Sequence, residues 1–192
     1  MTAKEYNFDE TDRKIISELQ RDGRSGLVEL GKRVGLTHPG VANRLKKLIG
    51  DDIVNIKAEL NVKKLGMQIA VLGIEVDGLD RAMELSKKFG SCPRVAFIAP
   101  MTGDYNLIMI LIGEDFTSLQ HIIEKTIRPQ PGVKRFSISV SSTPFEPKYL
   151  PIKVPLGRTK IAPCGKKCLE CESFTSNLCQ GCPSVIGYRG RL

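Results

Sequence analysis

Six consecutive apolar residues, Leu107-Ile108-Met109-Ile110-Leu111-Ile112, limit what this chain can fold into more than any other feature. Bounded by Asn106 and Gly113, the run reads as a strand buried on both faces, because alternate side chains point to opposite sides of a sheet. Its sheet must therefore be covered twice. Three more strands are predicted around it, at 69–76, 95–101 and 134–141, with helical segments at about 79–89 and 116–127. The order β-α-β-β-α-β is the ferredoxin-like arrangement, whose two helices cover one face only. A second copy of the chain is the expected cover for the other face, which predicts a homodimer. Packing by the tail or the N-terminal domain of the same chain is the alternative.

The first 50 residues carry a different period. Asp9, with Asp12 three residues on, is a capping signal for a helix whose apolar face is Ile15, Ile16 and Leu19, ending at Asp22-Gly23. Ser25 or Gly26 opens a second helix bearing Leu27, Leu30 and Val34, and Gly35 stops it. Thr37 caps a third, with Pro39 tolerated in the first turn and Val41, Leu45, Leu48 and Ile49 on one buried face. Its opposite face shows His38, Asn43, Arg44, Lys46 and Lys47, and no carboxylate occurs between Glu29 and Asp51. Such a helix suits a major groove of double-stranded DNA, where Asn pairs with adenine edges, Arg with guanine, and Lys neutralises phosphates. The expected DNA contacts are Asn43 and Arg44 to bases, Arg24, Lys46 and Lys47 to the backbone, and Thr37 and His38 at the start of the helix.

The ordered run Phe8-Asp9-Glu10-Thr11-Asp12-Arg13-Lys14-Ile15-Ile16, with Leu19-Gln20-Arg21-Asp22-Gly23-Arg24, Glu29-Leu30, Val34-Gly35-Leu36-Thr37 and Val41-Ala42-Asn43-Arg44-Leu45-Lys46-Lys47-Leu48, resembles the Lrp/AsnC (feast/famine) family of transcription regulators. Departures are Gly40, where a hydroxyl residue is usual, and Ile49 and Asp52, where an acid and a glycine are usual. The resemblance implies an α+β protein: a winged helix-turn-helix, with its wing at 53–60, joined to a ferredoxin-like regulatory domain usually called RAM. It also implies dimers assembling into tetramers or octamers, and an amino-acid effector at the turn Thr102-Gly103-Asp104-Tyr105-Asn106. There Gly103 lets backbone amides approach a carboxylate. Asn106 stands where the family usually has Asp. Relatives with this two-domain plan include siroheme (tetrapyrrole) decarboxylases, so an enzyme is the rival reading. Against it stand only two histidines, His38 and His121, in unrelated segments, with no carboxylate pair or nucleophile–base constellation in the sequence.

Charge and cysteine are unevenly spread. The chain carries 29 Lys+Arg against 21 Asp+Glu, a net +8. Residues 1–66 hold +3 of it, 67–145 are neutral and 146–192 hold +5. Basic ends around a neutral middle point to a polyanion partner for the ends and a small-molecule or apolar task for the middle. These limits also define the expected domains: 1–66 for DNA, 67–145 for dimerisation and effector, a Pro-rich linker at 146–163, and a cysteine-rich tail at 164–192. Cys92 stands alone, while Cys164, Cys168, Cys171, Cys179 and Cys182 crowd the tail. Two C-x-x-C pairs, 168/171 and 179/182, can close a tetrahedral zinc site, whereas Cys164 and Cys182-Pro183 also allow an iron–sulfur cluster; a redox dithiol and an unmetallated tail are the other readings, and modulation by metal or redox state is compatible with DNA binding. Without an apolar leader or a run of about 18 apolar residues, the chain is expected to be soluble and cytoplasmic.

Overall fold

The computed structural model describes residues 6–141 and 147–192. The N-terminal five residues, the expected boundary at 145 and the first linker residue, Glu146, lie outside the described residues. The chain forms two compact units, Met1–Ala58 and Glu59–Leu192. The break thus falls after Ala58 rather than Gly66, because residues 60–67 pack into the second unit.

The first unit holds three helices, α1 (Glu10–Arg21), α2 (Leu27–Val34) and α3 (His38–Gly50). Asp9 accepts from the Asp12 backbone N–H at 2.7 Å, and Asp12 reaches back to the Asp9 N–H, so two otherwise unpaired donors of the first turn are satisfied. Gly26 precedes α2, and Gly35 closes it at φ +74°. Thr37 caps α3 by accepting from the Gly40 N–H. Ile15, Leu30 and Val41, one from each helix, form the centre, flanked by Leu19, Leu27, Val34 and Leu36. Burial of each large side chain contributes roughly 1.5–3 kcal/mol. Ile49 does not join them and is 46% exposed, since it lies about 100° round the helix from the buried Leu48. Asp52, at the position where glycine is usual, sits at φ +57°, a conformation that its short polar side chain tolerates better than most. No wing forms. Residues 53–59 carry no strand, and β1 (Leu60–Asn61) pairs instead with β6 (Tyr149–Leu150) in the second unit.

In that unit β2 (Gln68–Val76), α4 (Gly78–Gly90), β3 (Val95–Pro100), β4 (Leu107–Gly113), α5 (Phe116–Ile122) and β5 (Val133–Ser141) follow the expected order. A π-helical turn, Ile123–Ile127, extends α5. All neighbouring strands are antiparallel in the order β3-β4-β2-β5, so β4 and β2 are central and β3 and β5 are edges. One face buries Leu72, Ile74, Met109 and Leu111 beneath Leu85 and Phe89 of α4 and Leu119 of α5. The other face is covered at one end by the chain itself. There Ile112, Ile69 and Ala96 pack with Val62, Met67, Leu150, Ile152 and Leu192. The next row across the sheet, Phe97–Ile110–Val71, stays open, with Phe97 48% and Val71 43% exposed. The segment 147–163 is extended as expected, but buried Leu150, Ile152 and Ala162 hold it down. Beyond it come a single 3-10 turn, Cys168–Glu170, and a one-turn helix, α6 (Glu172–Thr175).

Candidate functional site

Helix α3 buries Val41 and Leu48 and turns His38, Asn43, Lys46 and Lys47 to solvent, together with the cap residue Thr37. Arg24 is exposed in the α1–α2 connection, close to Asp22. Lys47 also lies over the Tyr6 ring, 5.9 Å from its centroid. Arg44 is placed differently from the groove-reading role expected of it. Its Nη1 donates to Asp9 at 2.5 Å and to Asp12 at 2.9 Å, so the guanidinium ties α3 to the start of α1. The backbone N–H of Asp12 and then the Arg44 guanidinium hold the Asp9 carboxyl below its ordinary value. A basic side chain in a groove-facing pattern has here been drawn to the nearest carboxylates.

In the second unit, Thr102, Gly103 and Asp104 are exposed in the turn between β3 and β4, which the Met101 N–H closes by donating to the Asn106 carbonyl. Gly103 takes φ +133°, which a β-carbon would strain. Tyr105 lies against Gly73 so closely that a β-carbon on that glycine would meet the ring at 3.0 Å, and Arg135 stands 5.4 Å from the ring centroid. Asn106 is committed elsewhere. Its Oδ1 accepts from the Val76 N–H at 2.8 Å and its Nδ2 donates to the Val76 carbonyl at 2.9 Å. An aspartate could not make the second bond, which accounts for the amide at this position and removes Asn106 from the groups free to hold a ligand.

The tail cysteines converge on one region, and Cys92 joins them. Cys92, Cys164, Cys168, Cys171, Cys179 and Cys182 all line a single cavity of about 70 Å³ beside Arg94 and His121. All six are free thiols. Burial pushes Cys168 and Cys182 up to about 11 and also raises Cys92 and Cys179. Among the described residues, no three His, Cys, Asp or Glu side chains are gathered closely enough to hold a metal as they stand. His121 Nδ1 meets Ser173 Oγ at 3.1 Å, a contact that fastens α6 against α5. Sequence reasoning missed Cys92 because its only signal was an unpaired cysteine. It missed the buried Arg94–Glu114 ion pair because the two lie on different strands' ends.

A three-helix DNA-reading unit followed by a ferredoxin-like domain defines a class of transcription regulators with a ligand-binding module. The AsnC-type helix-turn-helix domain matches residues 8–49, and the Lrp/AsnC ligand binding domain matches 69–148. The uncharacterized HTH-type transcriptional regulator YezC of Bacillus subtilis is 31% identical over 122 residues, which span 62% of this chain and 86% of that protein. The HTH-type transcriptional regulator Ptr1 of Methanocaldococcus jannaschii is 26% identical over 141 residues, 72% of this chain and 95% of Ptr1. Among solved structures, the transcriptional regulator NMB0573 of Neisseria meningitidis, in complex with L-Met, superposes with a TM-score of 0.62 at 28% identity, over 70% of this chain and 90% of that one. This chain belongs to the Lrp/AsnC family. The decarboxylase reading gains no support from these relatives, all of which are called regulators. Among the described residues, no helix is long and apolar enough to cross a membrane.

Proposed function

We propose that this protein regulates transcription as a homodimer, laying α3 of each copy into successive major grooves of DNA roughly 34 Å apart. The observation that carries this reading is the exposed, acid-free face of α3, with Asn43, Lys46 and Lys47 opposite the buried Val41 and Leu48. Arg44 acts on DNA indirectly, by setting α3 against α1. Asn43→Ala should lower affinity for a selected operator by about 10- to 100-fold and relax base preference, because a good bidentate base contact is worth about 1–3 kcal/mol of discrimination. Lys47→Ala should weaken binding to all sequences alike and reduce the salt slope by about one. Fluorescence anisotropy across a salt series measures both, and unchanged binding in both variants would sink the groove assignment.

The open row Phe97–Ile110–Val71 supports the second copy, since an apolar strip in the middle of a sheet face gains from burial. The exposed turn at 102–104, where Gly103 at φ +133° carries no side chain to block approach to the backbone, supports a small carboxylate ligand such as an amino acid. The relative solved with L-Met is consistent with that chemistry. Sedimentation at micromolar concentration should show at least a dimer, and one of the amino acids should raise its thermal midpoint. A monomer removes the dimer, and no shift with any amino acid removes the ligand.

A further inference from the structure

The tail holds little that could keep it folded alone. Its apolar centre is Cys182 and Val185 with Ala162 of the preceding segment, Cys164 and Cys168 packed alongside, and Phe174 and Tyr188 as its other buried large side chains. Segments with so small a core are generally stapled by disulfides or a metal. The thiols here are free, and the cavity they line has room for an ion. At about 70 Å³ it exceeds the roughly 10–15 Å³ one water needs, yet falls far below the roughly 300–1,000 Å³ of small-molecule sites. Size therefore selects an ion or compact cluster over an amino acid.

Two local features would suit a sulfur that becomes negatively charged on binding a metal. The Gly181 N–H donates to Cys179 Sγ at 3.4 Å within Cys179-Gln180-Gly181-Cys182, the kind of backbone bond that steadies a metal-bound thiolate. Gly181 sits at φ +85°, and a β-carbon there would meet the Phe174 ring at 2.8 Å, so only glycine permits this turn. Arg94 also lines the cavity. Its Nη atoms reach Glu114 and the Gly181 carbonyl, while its buried Nε has no partner. A buried N–H left unpaired costs about 1–3 kcal/mol. A thiolate in the cavity would satisfy it. Buried cysteines acting merely as small apolar side chains would explain their packing, but neither the paired spacing nor the orphaned Nε.

We propose that this cavity is a metal–thiolate centre assembled from both parts of the unit, in which Cys92 of the regulatory domain supplies a ligand alongside the tail cysteines. Each coordinating thiol gives up its proton as its sulfur bonds the metal, and no electron is transferred in binding zinc. To share one ion the sulfurs must turn inward about χ1 from their places on the cavity wall, since no three of them are gathered closely enough as they stand. Cys92 follows α4, its N–H donating to the Phe89 carbonyl at 2.9 Å and its carbonyl accepting from the Val95 N–H at 3.1 Å. A metal held there fastens the tail to the α4–β3 connection, at the edge of the regulatory sheet. This inference is independent of DNA binding.

The full chain, purified anaerobically, should contain about one zinc, or iron and sulfide with visible absorption if the centre is a cluster. Cys92→Ser and Cys92→Ala should keep the far-ultraviolet circular dichroism of the parent and lose metal to a competing chelator at about tenfold lower concentration. In the cobalt-substituted protein, the sulfur-to-cobalt charge-transfer band should fall by about a quarter in either variant, as one of four ligands is lost. Should both variants misfold, alkylation of Cys92 in the unaltered chain serves instead, and it should accelerate when the metal is chelated. Wild-type metal retention and band intensity in folded Cys92 variants, or an alkylation rate indifferent to chelation, would overturn the role of Cys92. Failure of the parent chain to take up zinc, cobalt, or iron with sulfide would overturn the centre itself.

Discussion

Glu114→Gln should destabilise the second unit by about 3–5 kcal/mol, the usual result of stranding one charge of a buried pair. Arg94 immediately precedes β3 and Glu114 immediately follows β4, and their side chains are only 3% and 7% exposed, with Arg94 Nη1 2.8 Å from Glu114 Oε2. Burial alone would lower the Arg94 pKa, and the charge and hydrogen bond of Glu114 more than reverse it. Arg94 also donates to the Gly181 carbonyl at 2.5 Å, and Tyr188 donates to Glu114, so the pair joins the sheet to the tail. With glutamine the guanidinium keeps its charge and loses its counter-ion. The thermal midpoint should fall by roughly 10 °C at 2–4 °C per kcal/mol. Arg94→Met combined with Glu114→Leu should be less damaging than Glu114→Gln, because two apolar groups leave no buried charge behind. A midpoint for Glu114→Gln within about 2 °C of the parent would show that water reaches the pair.

Gly31→Ala should lower both the stability of the first unit and its affinity for DNA, although alanine is the better helix former. In an open helix the exchange gains up to about 1 kcal/mol. Gly31 is not open. The chain leaving α2 folds back so that the Leu36 N–H donates to the Gly31 carbonyl at 2.9 Å, and a β-carbon on Gly31 would stand 2.6 Å from the Leu36 carbonyl oxygen. That neighbour is backbone, so the turn must move, at a cost of about 1–3 kcal/mol that outweighs the propensity gain. Because the same turn sets α3 against α2, operator binding should fall by more than about tenfold while circular dichroism still reports three helices. An increased thermal midpoint would mean the turn yields freely.

Much of the architecture was legible before the fold. Strand limits, the Asp9, Gly35 and Thr37 caps and the order of elements follow from periods of 2 and 3.6 and from caps that act within three or four residues. The cover of the sheet was legible only in part. The both-faces-apolar β4 demanded a second layer, but that β1, β6 and Leu192 would supply one end of it depended on how residues far apart in sequence close around Ile112. The wing failed for the same reason. The expected wing spans 53–60, and nothing near Leu60-Asn61 in the sequence reveals that this pair becomes a strand whose partner is Tyr149-Leu150.

Side-chain roles divide along the same line. Residue types alone marked the basic α3 and the cysteine pairs, since those chemistries are carried by spacing along a few turns. Only the tertiary structure decided that Arg44 belongs to Asp9 and Asp12, that Asn106 clamps Val76, that Arg94 pairs with Glu114, and that Cys92 meets the tail. Each is a contact between segments distant in the chain. The physical reason is range: propensity and capping are settled by covalent neighbours, whereas ion pairs, amide clamps and ligand sets exist only after chain closure has brought their groups together and removed the water between them.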